Sequence, residues 1–126
     1  MAQQKKVLIV EDDVTLRQIY KEYLEQQGFE VSIAVDGEEG IRQIKAVKPD
    51  IVLLDLIMPK VSGFEVLEAV KNNEDTKNIA ILVMTNIYSD TEELVKKGAA
   101  SCLMKSDVTP DKVLKKINEI LSVVVI

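Results

Sequence analysis

Apolar runs of strand length alternate along this chain with segments whose apolar residues recur at helical period, and the alternation repeats five times. Few architectures accept it: strand, helix, strand in regular succession predicts a parallel sheet with helices on both faces. The strands are expected at Val7 to Val10, Phe29 to Ala34, Ile51 to Leu54, Ile79 to Met84 and Ser101 to Met104. The first, third and fourth are nearly continuous Val, Ile and Leu, the composition of central strands covered on both faces. Between them the period changes. Leu16, Ile19, Tyr20, Tyr23 and Leu24 mark a first helix, with Gly28 where a C-terminal cap belongs. Ile41, Ile44 and Val47 mark a second that stops before Pro49; Phe64, Leu67 and Val70 a third; Leu94 and Val95 a shorter fourth ended by Gly98. The fifth has Thr109 as a candidate cap, Pro110 at the first helical position, and a stripe of Val113, Leu114, Ile117, Ile120 and Leu121.

With 126 residues, 47% of them apolar, the chain has material for one core, and no repeat, linker or low-complexity tract divides it, so residues 1–126 read as a single domain. A net charge of −5 repels nucleic-acid phosphates and anionic lipid, which argues against either as a direct partner. There is no histidine and one cysteine, Cys102, which excludes histidine-dependent triads, zinc clusters and an internal disulfide. No targeting signal or membrane span is legible, and a cytoplasmic setting is expected. The closing SVVVI, Ser122 to Ile126, reads as packing for the last helix.

In an open parallel sheet, ligands bind beyond the carboxyl ends of the strands where strand order reverses. There the sequence places Glu11, Asp12 and Asp13 after the first strand, Asp55 after the third, Thr85 after the fourth and Lys105 after the fifth. Singly each has a plain explanation: a helix cap, a turn residue, a loop hydroxyl, a solvated charge. Jointly they make an acidic pocket with one ammonium. Carboxylates so close must protonate or hold a cation, and an all-oxygen set suits a hard ion such as Mg²⁺, which keeps open positions for water and phosphate oxygens. A carboxylate nucleophile beside it would be shielded as an anionic phosphoryl group approaches, Lys105 and Thr85 serving the phosphoryl oxygens.

The segments VLIVEDDVTLR, DIVLLDLIMPKVSGFEVL, ILVMT and CLMK resemble the receiver domains of two-component response regulators, typified by the chemotaxis regulator, over essentially the whole chain. The most specific part is Asp55, Met58, Pro59 and Gly63 together with the acidic pair Glu11 and Asp12. The resemblance implies a doubly wound α/β fold of five parallel strands in order 2-1-3-4-5 with five helices. It implies phosphorylation of Asp55, Mg²⁺ held by Asp12, Asp55 and the backbone carbonyl of Ile57 with Glu11 acting behind them or through water, and Thr85 and Lys105 as switch hydroxyl and phosphoryl-binding lysine. The partners implied are a sensor histidine kinase or phosphotransfer protein as donor and a downstream protein target, and the domain is no enzyme beyond promoting its own phosphotransfer and slow autodephosphorylation; a stand-alone regulator is the simpler expectation, beside a piece of a longer one. Asp13 carries no role. Gly63 and Pro59 read as backbone devices of the loop, and Met58 and Met84 as core filler.

Departures from the family pattern concern output. Ser106 follows Lys105 where proline is usual, Asn86 is larger than the usual residue after Thr85, and Cys102 stands at the place of the aromatic switch residue, with Tyr88 as a candidate substitute. Ile57 and Ile87, two beyond Asp55 and Thr85, replace polar residues that orient attacking water, which predicts a long-lived phosphorylated state. The main rival reading is a receiver-shaped interaction module regulated by binding alone. A haloacid-dehalogenase-type phosphatase would need an aspartate at Ile57, and a flavin site would be repelled by the acids after the first strand.

Overall fold

A computed structural model describes residues 4–58, 60–86 and 91–122; Pro59, Ile87, Tyr88 and the final VVVI lie outside the described residues. The elements run β1 (Lys6–Val10), α1 (Val14–Gln26), β2 (Glu30–Ala34), α2 (Gly37–Val47), β3 (Ile51–Asp55), α3 (Gly63–Lys71), β4 (Ala80–Thr85), α4 (Thr91–Lys96), β5 (Ser101–Met104) and α5 (Pro110–Leu121). All strand pairs are parallel, in the order β2-β1-β3-β4-β5. The expected five-strand, five-helix α/β architecture and strand order are therefore present.

The sheet divides the core in two. Val7 and Ile9 of β1, Ile51 and Leu53 of β3, and Leu82 and Met84 of β4 pack with Tyr20, Leu24, Val113 and Ile117 under α1 and α5. Their strand neighbours Leu8, Val10, Val52, Leu54, Ile81 and Val83 pack with Ile44, Val66, Leu67, Val70 and Leu94 under α2, α3 and α4. Each central strand is thus apolar at every position because alternate residues serve opposite faces. Full burial of one such Leu or Ile contributes on the order of 2 kcal/mol.

Several boundaries and contacts differ from expectation. Phe29 and Ile79 fall outside β2 and β4, whereas Lys6, Asp55 and Thr85 fall inside β1, β3 and β4. Ile19 is 44% exposed, because it lies about 100° around the helix from Tyr20, off the stripe formed by Leu16, Tyr20, Tyr23 and Leu24. Thr109 occupies the N-cap position of α5 without a side-chain cap bond, since its hydroxyl donates to the Asp111 carboxylate instead. Gly28 and Gly98 do end their helices with φ of 96° and 113°, and Met58 and Met84 are buried.

The loop that leaves β3 is pinned at both ends. A Cβ at Gly63 would stand 2.5 Å from the Leu56 Cα and 2.6 Å from the Asp55 carbonyl oxygen, so only glycine lets α3 start against the strand exit. Ser62 caps α3 by accepting from the Glu65 N–H. Lys60, between them, adopts a left-handed φ of 66°.

Candidate functional site

The strand order reverses between β1 and β3, because α1 and α2 leave on opposite faces, and the carboxyl ends of these strands open a crevice there. Asp55 ends β3 and is 3% exposed. Its Oδ1 accepts from the Ile57 N–H at 3.3 Å and its Oδ2 from the Lys105 ammonium at 2.9 Å. Lys105 follows β5, and its own N–H donates to the Thr85 carbonyl at 2.8 Å, continuing the ladder with β4. That bond fixes where the lysine side chain begins. No peptide bond among the described residues is cis, so the bond to Ser106 is trans, and the ammonium still reaches the pocket.

Glu11 extends β1 by one residue through its N–H to the Ala34 carbonyl at 3.1 Å, and it is fully buried. Its Oε2 accepts from the Asp13 N–H at 3.2 Å and from Lys105 at 3.3 Å. The ammonium also stands 3.1 Å from Oε1, yet it is misaligned there, and Oε1 is the buried side-chain oxygen left without a hydrogen bond among the described residues. Burial first, then the hydrogen bond and charge of Asp55, push Glu11 from 4.5 up to about 7, against the opposing pull of the Asp13 N–H and Lys105. Burial disfavours the Lys105 ammonium, but its bonds to Asp55 and Glu11 outweigh this and raise its pKa.

One carboxylate oxygen from each of Glu11, Asp12 and Asp55 lies within 4.8 Å of the other two, with Asp12 at the solvent side. The Lys105 ammonium is shared by Glu11 and Asp55, with Asp12 a third acid beside them, which leaves charge unmatched, as the orphaned Oε1 and the raised Glu11 both record. The donor set is oxygen only, so the pocket fits a hard divalent cation such as Mg²⁺.

The structure thus brings together Glu11, Asp12, Asp55 and Lys105, and sets Thr85 at the adjoining end of β4, buried. Ile57 stands beside Asp55, 57% exposed. Asp13 turns out to cap α1, its Oδ1 accepting from the Leu16 N–H at 3.1 Å. Cys102 is half-buried and packs against the core under α2, α3 and α4, where burial raises its thiol pKa. Arg17, which sequence reading left without a role, donates from Nη1 to the Glu11 carbonyl at 2.8 Å and anchors the loop bearing both acids. Only its spacing from Glu11, just under two helical turns, hints at this in the sequence.

Residues 7–118 match the family model of the response regulator receiver domain. The chain is 30% identical over 119 residues to Protein PilH of Pseudomonas aeruginosa, covering 93% of this chain and 98% of that one. It is 36% identical over 80 residues to the DNA-binding dual master transcriptional regulator RpaA of a Synechocystis species, and that match spans 64% of this chain but 33% of the regulator. Among solved structures, a putative response regulator from Chloroflexus aurantiacus superposes with a TM-score of 0.87 at 29% identity, covering 95% and 99% of the two chains.

Proposed function

This chain belongs to the response regulator receiver family, whose members are signalling domains of two-component systems, and from that membership and its pocket we propose that it is a switch set by phosphorylation of Asp55. The observation that carries the reading is the buried Asp55 carboxylate, at the carboxyl end of the central strand, paired at 2.9 Å with the Lys105 ammonium. Its chemistry is transfer of a phosphoryl group from a phosphohistidine of a sensor kinase or phosphotransfer protein. An Asp55 oxygen forms the new O–P bond, the donor's N–P bond breaks, and the imidazole leaves.

Asp12, Asp55, Glu11 and the Ile57 carbonyl are the groups that would hold Mg²⁺, which supplies positive charge against the phosphoryl oxygens when bound. Lys105 is placed to exchange its bond to Asp55 for one to the transferred group. Thr85, at the end of the neighbouring strand, would give its hydroxyl to a third oxygen, and Arg17 and Asp13 hold the acidic loop from behind. The phosphorylated domain then acts on a downstream protein. Ile57 offers no hydrogen bond to an attacking water, which supports slow loss of the group. No helix of the described residues is long and apolar enough to cross a membrane, and the acidic net charge disfavours nucleic acid as a partner.

The test is intact-mass spectrometry after incubation with a small acyl phosphate and Mg²⁺. The native protein is expected to gain one phosphoryl mass and Asp55→Asn none, with unchanged fold by circular dichroism. Gain of that mass by Asp55→Asn at the native rate would assign the phosphate elsewhere, and its absence from the native protein would favour an interaction module regulated by binding alone.

A further inference from the structure

Glycine inside a helix is disfavoured relative to alanine, yet the first turn of α2 holds two, Gly37 and Gly40, both buried. Neither has a positive φ, so the backbone conformation does not demand them. Their neighbours do. A Cβ at Gly37 would stand 2.3 Å from the Val61 carbonyl oxygen and 2.9 Å from the Val61 Cβ, and one at Gly40 would meet the Val10 γ-carbons at 3.0 and 3.1 Å. Val10 ends β1 directly before Glu11 and Asp12, and Val61 lies in the loop between β3 and α3 that also carries Ile57. The start of α2 is therefore seated against both chain segments that bear the oxygens of the acidic pocket. The seat is stiff: Asp36 caps α2 by accepting from the Glu39 N–H at 2.8 Å, and Ile44 anchors the helix in the core. The loop after β3 is tied at its base, where the Gly63 N–H donates to the Leu56 carbonyl at 2.8 Å.

We propose that Gly37 and Gly40 are positioning residues of the acidic pocket: lacking side chains, they let α2 bear on both segments and so set the gap between the exits of β1 and β3 into which a divalent cation fits. The inference rests on the Mg²⁺ reading above and deepens it. A methyl at Gly37 meets a backbone oxygen, which no side-chain rotation relieves. With α2 anchored and the loop tied at its base, the push on Val61 is taken up by the residues between the ties, Ile57 among them. A methyl at Gly40 presses on movable side-chain carbons, and the residue it displaces, Val10, is bonded to Glu11. Both changes act on the pocket without touching a group that would hold the metal.

The experiment measures Mg²⁺ affinity by titration followed in ¹⁵N–¹H NMR spectra, and the urea midpoint in EDTA, for native protein, Gly37→Ala, Gly40→Ala and Gly28→Ala. Gly28 is the control: it precedes β2 at the amino edge of the sheet, its φ of 96° makes alanine strained, and a Cβ there would meet no described atom within 4 Å. Gly37→Ala is expected to weaken Mg²⁺ binding about tenfold, the low end of what residues supporting metal ligands are worth, with a lowered midpoint. Gly40→Ala is expected to fold and to weaken binding less, and Val10→Ala, which removes the carbons its methyl meets, to restore the affinity in the double variant. Gly28→Ala is expected to lower the midpoint and keep the native affinity. Native affinity in Gly40→Ala or in folded Gly37→Ala would overturn the inference, as would an equal loss in Gly28→Ala, which marks an effect of stability alone. A native protein that fails to bind Mg²⁺ would overturn the metal reading and this inference with it.

Discussion

Removing the Lys105 ammonium isolates the electrostatics of the pocket. Lys105→Ala leaves Asp55 and Glu11, which are 3% and 0% exposed, without the cation that stands 2.9 and 3.1 Å from them. Deleting one partner of a buried pair is destabilising by roughly 3–5 kcal/mol, because the remaining charge stays desolvated. Lys105 itself is 19% exposed, so water already reaches one side of the pair, and the low end of that range, about 3 kcal/mol, is expected. For a chain of this size, unfolding in urea has a slope of about 1.5 kcal/mol per M, so the midpoint should fall by about 2 M in the metal-free protein at pH 8. The loss should shrink on acidification. A glutamate held near 7 in the fold and near 4.5 outside it binds its proton more readily when folded, so its contribution is full below about 4.5 and is lost as pH rises through 7. At pH 5.5 Glu11 carries that proton and the uncompensated charge is halved. The double variant Asp55→Asn, Lys105→Ala should recover much of the lost stability. A Lys105→Ala midpoint equal to native at pH 8, or a double variant no more stable than Lys105→Ala, would refute the assignment of the effect to buried charge.

Millimolar Mg²⁺ should raise the melting temperature of the native protein, by about 2.7 kcal/mol of added stability at a hundredfold excess over Kd, and Asp12→Ala should abolish the response in differential scanning fluorimetry. The phosphorylated protein should lose its added mass more slowly than Ile57→Asn, and than the double variant Ile57→Asn, Ile87→Glu; equal decay in all three would show that these side chains do not control water access. Gly63→Ala should destabilise by about 1–3 kcal/mol, since the new Cβ meets the Leu56 backbone at 2.5 Å, and a midpoint within error of native would mean that α3 can shift freely. Cys102 should react slowly with iodoacetamide at pH 7, because burial keeps its thiol protonated; labelling as fast as free cysteine would contradict the burial.

The alternation of strand and helix, the convergence of Asp55, Lys105 and the acids after β1, and the capping glycines were legible because each follows from local pattern plus one topological rule. Other features were not. Asp55 and Thr85 belong to their strands, since pairing with Met84 and Met104 continues past the last apolar residue, and apolar character was the only signal for the strand end. Ile19 fits the helical period and is still exposed, because α1 meets the sheet along a stripe narrower than the period allows. Arg17 carries no reading in the sequence and Tyr20 reads only as a core aromatic; what each lies near depends on how α1 sits over β1, and no periodicity encodes that. Asp13 shows the reverse, a third acid in a row whose capping of α1 is local and was a standing alternative from the start.

The sheet works as a partition between two compartments. Asp55 and Lys105 sit with the α1 and α5 half, while Thr85, in alternation with Ile81 and Val83, sits with the half under α2, α3 and α4, which also holds Cys102. A packed interior passes on displacement only where its parts touch, and both halves border the carboxyl rim, where Asp55 ends β3 and the Lys105 N–H meets the Thr85 carbonyl. News of an event at Asp55 therefore has a crossing at that rim. Substitutions deep in the α3 and α4 half, such as at Leu67 or Leu94, are then able to mute the reply without altering how the signal is received.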